Sequence, residues 1–201
     1  MCLCNGRLRV SGGFCLLAAW FAQANGWGLL WTVLWAAAVH EAGHWCVLRL
    51  LGARVSGLRL TVFGAEMEAS WPRLTYGGEF AAVLAGPAAN LLCSMVLAAG
   101  KVWQAAGAHL VLCAFNLLPV RPLDGGRALE LAVSWAFGPA AGDRAARWAG
   151  GVTALSLAAG LLCLLRRTGG SLWLLPAVFG AGAAAVRELF TGSFSKKPRK
   201  K

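Results

Sequence analysis

The run LLWTVLWAAAVHEAGHWCVLRLL, residues 29–51, is apolar at nearly every position except His40, Glu41 and His44. Its length suits a helix that crosses a bilayer, which takes about 20 mostly apolar residues. On a helix, i and i+4 stand one turn apart on one face, so His40 and His44 can turn both imidazoles toward one ion. Glu41, beside the first histidine, is placed to act as a general base on a water. In a soluble helix an HExxH pattern arises easily by chance. Inside a bilayer an ionisable group costs on the order of 2.5–3.5 kcal/mol or more, so three in five positions call for a bound partner. The expected partner is Zn²⁺, one per chain.

Composition extends this view to the whole chain. Of 201 residues, 58% are hydrophobic and 13% charged, against roughly 25% charged in a soluble domain. Five further apolar segments stand near residues 11–24, 80–100, 102–118, 148–165 and 172–189. The fold class expected is an all-α polytopic membrane protein of about six transmembrane helices. With both termini in the cytoplasm, only Lys101, Arg166 and Arg167 fall outside, and every other Lys and Arg falls inside. That asymmetry explains the net charge of +11 without nucleic acid, for which basic residues interleaved with exposed aromatics are missing. The start of the chain, with Arg7, Arg9, Phe14–Phe21 and Ala22-Gln23-Ala24, also has the shape of a signal peptide; the expectation is a retained first span. Seven cysteines without CxxC spacing support neither a disulfide framework nor a cysteine metal site.

Between the second and third spans, Leu58, Leu60 and Val62 alternate with Arg59 and Thr61, then Ala65, Met67 and Ala69 with Glu66 and Glu68. This predicts a short β-ribbon. By pattern alone it is a plain surface ribbon. The domain expected is a single membrane-embedded unit, 1–195, with a basic cytoplasmic tail, 196–201, that attracts anionic headgroups.

A zinc site with one open position needs a third protein ligand. Glu66, Glu68, Glu79, Asp143 and Glu188 sit in loops or near helix ends, where solvation accounts for them. His109 reads as a packed or hydrogen-bonded histidine of the fourth span. Asp124 stands apart, flanked by Pro119, Pro122, Gly125 and Gly126, which break the helix at membrane depth, as occurs around buried sites. Depth agrees: at 1.5 Å per residue His44 lies about 10 Å from Leu51 and His40 about 17 Å from Leu29, so the site is nearer the cytoplasmic end. An ordinary turn aspartate remains the alternative for Asp124.

Taken together, HEAGH in a span, Ala85-Gly86-Pro87-Ala88-Ala89-Asn90 in the next, and Asn116 through Pro122-Leu123-Asp124-Gly125-Gly126 resemble the site-2 protease family of intramembrane zinc metalloproteases. The likeness covers about residues 29–130. It implies that His40, His44 and Asp124 are zinc ligands and Glu41 the catalytic base. It also implies that Asn116 positions substrate or polarises its carbonyl, that Asn90 lends a polar group to the cavity, and that an extended substrate docks on the ribbon; backbone capping is the alternative for both asparagines. Within the family the chain looks most similar to the sporulation proteases that process a sigma-factor precursor, without the CBS domain those carry. The function expected is hydrolysis of a peptide bond in or near a transmembrane segment of a membrane-tethered regulatory protein, such as a sigma-factor precursor or an anti-sigma factor. It would act in a bacterial cell membrane, where a regulatory membrane partner is also expected. The competing readings are a non-catalytic membrane metal-binding protein and a silent helix-binding protein.

Overall fold

The structure, a computed structural model, describes residues 8–61, 64–70 and 74–167. The expected sixth span and the basic tail lie outside the described residues. The chain forms two compact units, residues 1–115 and 116–201.

In the first unit, β1 (Leu8–Val10) leads into α1 (Gly12–Asn25) and α2 (Trp27–Leu50). The Ser11 hydroxyl caps α1 by accepting from the Phe14 amide at 3.2 Å. Gly26, at φ 89°, turns the chain between α1 and α2, where a side chain would be strained. Strands β2 (Arg54–Thr61) and β3 (Gly64–Ser70) follow, then α3 (Tyr76–Ala99) and α4 (Trp103–Asn116), whose last residue opens the second unit. β2 and β3 pair antiparallel, with Leu58 opposite Met67 and a bulge between Val55 and Gly57. This is the ribbon that alternation predicts. β1 has no counterpart among the expected elements: it pairs parallel with β2, Leu8 opposite Leu58, so β2 is the centre of a three-stranded sheet. Three residues are too few to show a period of two.

Small residues face inward and large apolar ones outward. Ala22, Ala36, Ala53, Ala82 and Ala106 are buried in this unit, while Trp31, Trp35, Leu92 and Val96 are exposed. Water would penalise that arrangement, whereas lipid-facing helices adopt it so that their backbones can approach. α2 and α3 approach closely: a Cβ on Gly43 would stand 2.5 Å from the Ala85 carbonyl oxygen and 2.9 Å from Ala89 Cβ. The glycine inside HEAGH is therefore a packing residue.

After Asn116 the second unit continues as an irregular segment, 117–123, containing a cis Arg121–Pro122 peptide. Then come α5 (Asp124–Phe137) and α6 (Pro139–Arg167), which pack on each other. Gly125 and Gly126 lie against the backbone of this segment; a Cβ on Gly126 would meet Val120 C at 2.7 Å. Arg121 donates to Asp143 Oδ1 at 3.2 Å and to the Asp143 carbonyl at 3.1 Å, and Arg147 bridges to Asp143 at 3.3 Å. Asp143 thus anchors the irregular segment to α6 instead of serving as a solvated end residue. α5 is absent from the expected segments because Asp124, Arg127 and Glu130 interrupt its apolar positions, leaving an amphipathic helix with no apolar run. α6 starts nine residues before the expected 148, with Pro139 at its first position.

Among the described residues, α3 (24 residues) and α6 (29 residues) are long and apolar enough to cross a membrane. They match the expected third and fifth segments. α2 also has 24 residues, but His40, Glu41, His44 and the tryptophans dilute its hydropathy. α1 and α4 have 14 residues each, about 21 Å of helix against a hydrocarbon core of about 30 Å.

Candidate metal centre

His40 and His44 meet as their spacing on α2 requires. Their rings are edge-on, centroids 4.7 Å apart, and their Nε2 atoms stand 3.1 Å from each other. His44 Nδ1 lies 2.8 Å from the Ala82 carbonyl oxygen of α3. A carbonyl can only accept, so Nδ1 carries the proton and His44 Nε2 presents a lone pair. That is the state a metal ligand needs. Pro87 removes the donor for the Val83 carbonyl, opening the α3 ladder one residue from Ala82.

Gly86 forms the wall behind both rings. A Cβ there would stand 2.8 Å from His40 Nε2 and would collide outright with His44 Nε2. The alanine-rich stretch around Gly86 thus lets α3 approach the two imidazoles. Asn90, one turn further on, is fully buried. Its Nδ2 lies 3.2 Å from His40 Nδ1 and its Oδ1 lies 3.0 Å from Nδ1 of His109 on α4. His109 is fully buried as well, in keeping with a hydrogen-bonded histidine. Nearby, the Ser94 hydroxyl donates to the Ala106 carbonyl at 2.9 Å, fixing α3 against α4.

Glu41 follows His40 on α2 and is half-buried. Of the other expected site residues, Asn116 and Asp124 belong to the second unit. Asn116 ends α4, and half-buried Asp124 opens α5 in its first turn, where the helix dipole favours a carboxylate. The first unit therefore brings together His40, His44, Gly86, Asn90 and His109. The contact between Asn90 and His109 is one that sequence reasoning missed, since no spacing rule connects residues 19 apart on different helices.

His44 Nε2, left a lone pair by its outer hydrogen bond, and His40 Nε2 beside it, both bared by a glycine, can serve as a transition-metal donor pair once His40 carries its proton on Nδ1. No protein-family model matches the chain. It is similar to Rip3 of Mycobacterium tuberculosis, named as a zinc metalloprotease, with 33% identity over 165 residues, 74% of this chain and 41% of that protein. A zinc metalloprotease of Methanocaldococcus jannaschii is 28% identical over 125 residues, 56% of this chain and 36% of the relative. The chain thus spans about two fifths of the curated relatives it matches. In three dimensions it matches the site-2 protease from Methanocaldococcus jannaschii with a TM-score of 0.65 and 22% identity, over 92% of this chain and 94% of that one.

Proposed function

Because the chain belongs to the site-2 protease family, we propose that it is a zinc endopeptidase that cleaves a membrane-embedded substrate. The observation that carries this reading is the donor pair: His44 Nε2 has its lone pair fixed by the Ala82 bond, 3.1 Å from His40 Nε2. Zinc is the metal in the relatives' names, and two imidazoles with a carboxylate and one open position form a known catalytic zinc set. Asp124 is the proposed third ligand. The chemistry a zinc ion supplies at such a centre is polarisation of a carbonyl and acidification of water.

The chain's own residues supply the rest. Glu41 takes the proton of the attacking water and passes it to the leaving amine. Asn116, at the end of α4, is proposed to orient the substrate carbonyl. A transmembrane helix hides its carbonyls in internal hydrogen bonds, so the substrate must be extended where it is cut. β3 suits that task, because β2 pairs on one side of it and its other edge is unpaired among the described residues. An extended segment can add to such an edge. Six spans with both termini in the cytoplasm remain the proposed topology, and the bacterial cell membrane the proposed site. Sigma-factor precursors and anti-sigma factors are the proposed substrate class.

The test is cleavage of a single-span substrate co-reconstituted with the wild-type chain in liposomes. Product is expected without chelator, none with 1,10-phenanthroline, and recovery on adding zinc. Cleavage indifferent to the chelator would overturn the metalloprotease reading.

A further inference from the structure

The buried side chains behind His40 form a line that the reaction above leaves without a task. It runs from His109 on α4, through Asn90 on α3, to His40 on α2. His109 and Asn90 are the largest fully buried side chains among the described residues. Burying an imidazole and an amide is costly unless their hydrogen bonds return the loss. Here each amide atom faces one imidazole nitrogen.

The polarity of the line follows from the amide. With Nδ2 toward His40, Asn90 donates to His40 Nδ1 and accepts from His109 Nδ1–H. His40 then carries its proton on Nε2 and can donate it to the lone pair of His44 Nε2, 3.1 Å away. A zinc ligand needs the opposite: a lone pair on His40 Nε2 and the proton on Nδ1. Turning the amide over satisfies that need, because Oδ1 then accepts from His40 Nδ1–H. Nδ2 in turn donates to His109 Nδ1, which moves the His109 proton to Nε2. That far atom is buried and has no partner among the described residues. Reversal therefore exchanges one unpartnered lone pair on His109 for one unpartnered N–H, keeps both bonds to Asn90, and gives up the His40–His44 bond, turning two Nε2 lone pairs toward the metal position.

We infer that Asn90 and His109 are positioning residues for the metal: the amide reads the tautomer of His40, and His109, by moving its own proton to Nε2 and accepting from Nδ2, secures the reversed amide that zinc binding requires. The inference rests on the proposed zinc site. It moves Asn90 from the substrate cavity expected of it to the rear of the ligand shell, where both its amide atoms are engaged by imidazoles. The Ser94–Ala106 bond, one helical turn from Asn90 and three residues from His109, keeps α3 and α4 in register for it.

Two measurements test it on the full chain in detergent. The first is the ¹⁵N spectrum of histidine-labelled wild-type protein, stripped of zinc and then loaded. His109 is expected to carry its proton on Nδ1 when stripped and on Nε2 when loaded, with no net gain of protons. A His109 tautomer that ignores zinc would overturn the inference. The second is zinc affinity by competition with a chromophoric chelator. Asn90→Leu and His109→Phe are expected to bind zinc roughly 10- to 100-fold more weakly. Asn90→Asp, which offers His40 an acceptor and also accepts from His109, should bind within a few-fold of wild type. A purely packing role predicts no such rescue. Wild-type affinity in Asn90→Leu would sink the positioning role while leaving the zinc site standing. A wild-type chain that takes up no zinc would instead sink the reading beneath it.

Discussion

Glu41→Gln is expected to leave zinc binding intact and to lower the rate of substrate cleavage by about 10²–10⁴-fold, the usual span for a general base. The amide is nearly isosteric with the carboxylate, so α2 and its packing against α3 should be unchanged. What is lost is the ability to accept a proton from water and return it to the amine. His40 and His44 keep their bonds to Asn90 and Ala82, so the donor pair persists. Zinc content and cleavage rate measured on one preparation separate these effects. Undiminished cleavage by Glu41→Gln would remove Glu41 from the reaction.

Gly86→Ala is expected to lower zinc affinity by about 10²-fold or more, although it adds a single methyl group. The new Cβ would lie 2.8 Å from His40 Nε2 and closer still to His44 Nε2. Neither ring can turn aside without losing its outer hydrogen bond, to Asn90 or to the Ala82 carbonyl. Overpacking of this kind costs about 1–3 kcal/mol, roughly 5- to 140-fold by itself, and both ligand nitrogens are displaced besides. Gly77→Ala is the control, since a Cβ there meets nothing within 4 Å. Equal zinc affinity in Gly86→Ala and wild type would mean that the rings do not lie against α3 as described.

Residues close in sequence were legible, and residues that meet across helices were less so. The i, i+4 pair on α2 follows from helix geometry, and the β2–β3 hairpin from alternation around Gly64. The third and fifth apolar segments correspond to α3 and α6. α5 is not visible to a search for long apolar runs, which passes over a 14-residue helix with one polar face. β1 is not visible either, because its pairing with β2 is set by tertiary contact, while Arg9 suggests only a charged lead into the first span. Gly43 and Gly86 can be seen in their motifs, but their purpose is packing. Only the α2–α3 contact shows that one admits the neighbouring helix and the other bares two imidazoles. Asn90 stands out as an asparagine in an apolar span, but its partners, His40 and His109, lie 50 and 19 residues away.

Zinc stoichiometry of the purified chain, compared with Asp124→Ala, tests the proposed centre most directly. Wild type is expected to hold one zinc ion per chain. Asp124→Ala, with an unchanged helical spectrum, is expected to hold far less than one after dialysis, because two imidazoles alone bind too weakly. One zinc retained by Asp124→Ala would contradict the ligand set, and none in wild type would contradict the account as a whole.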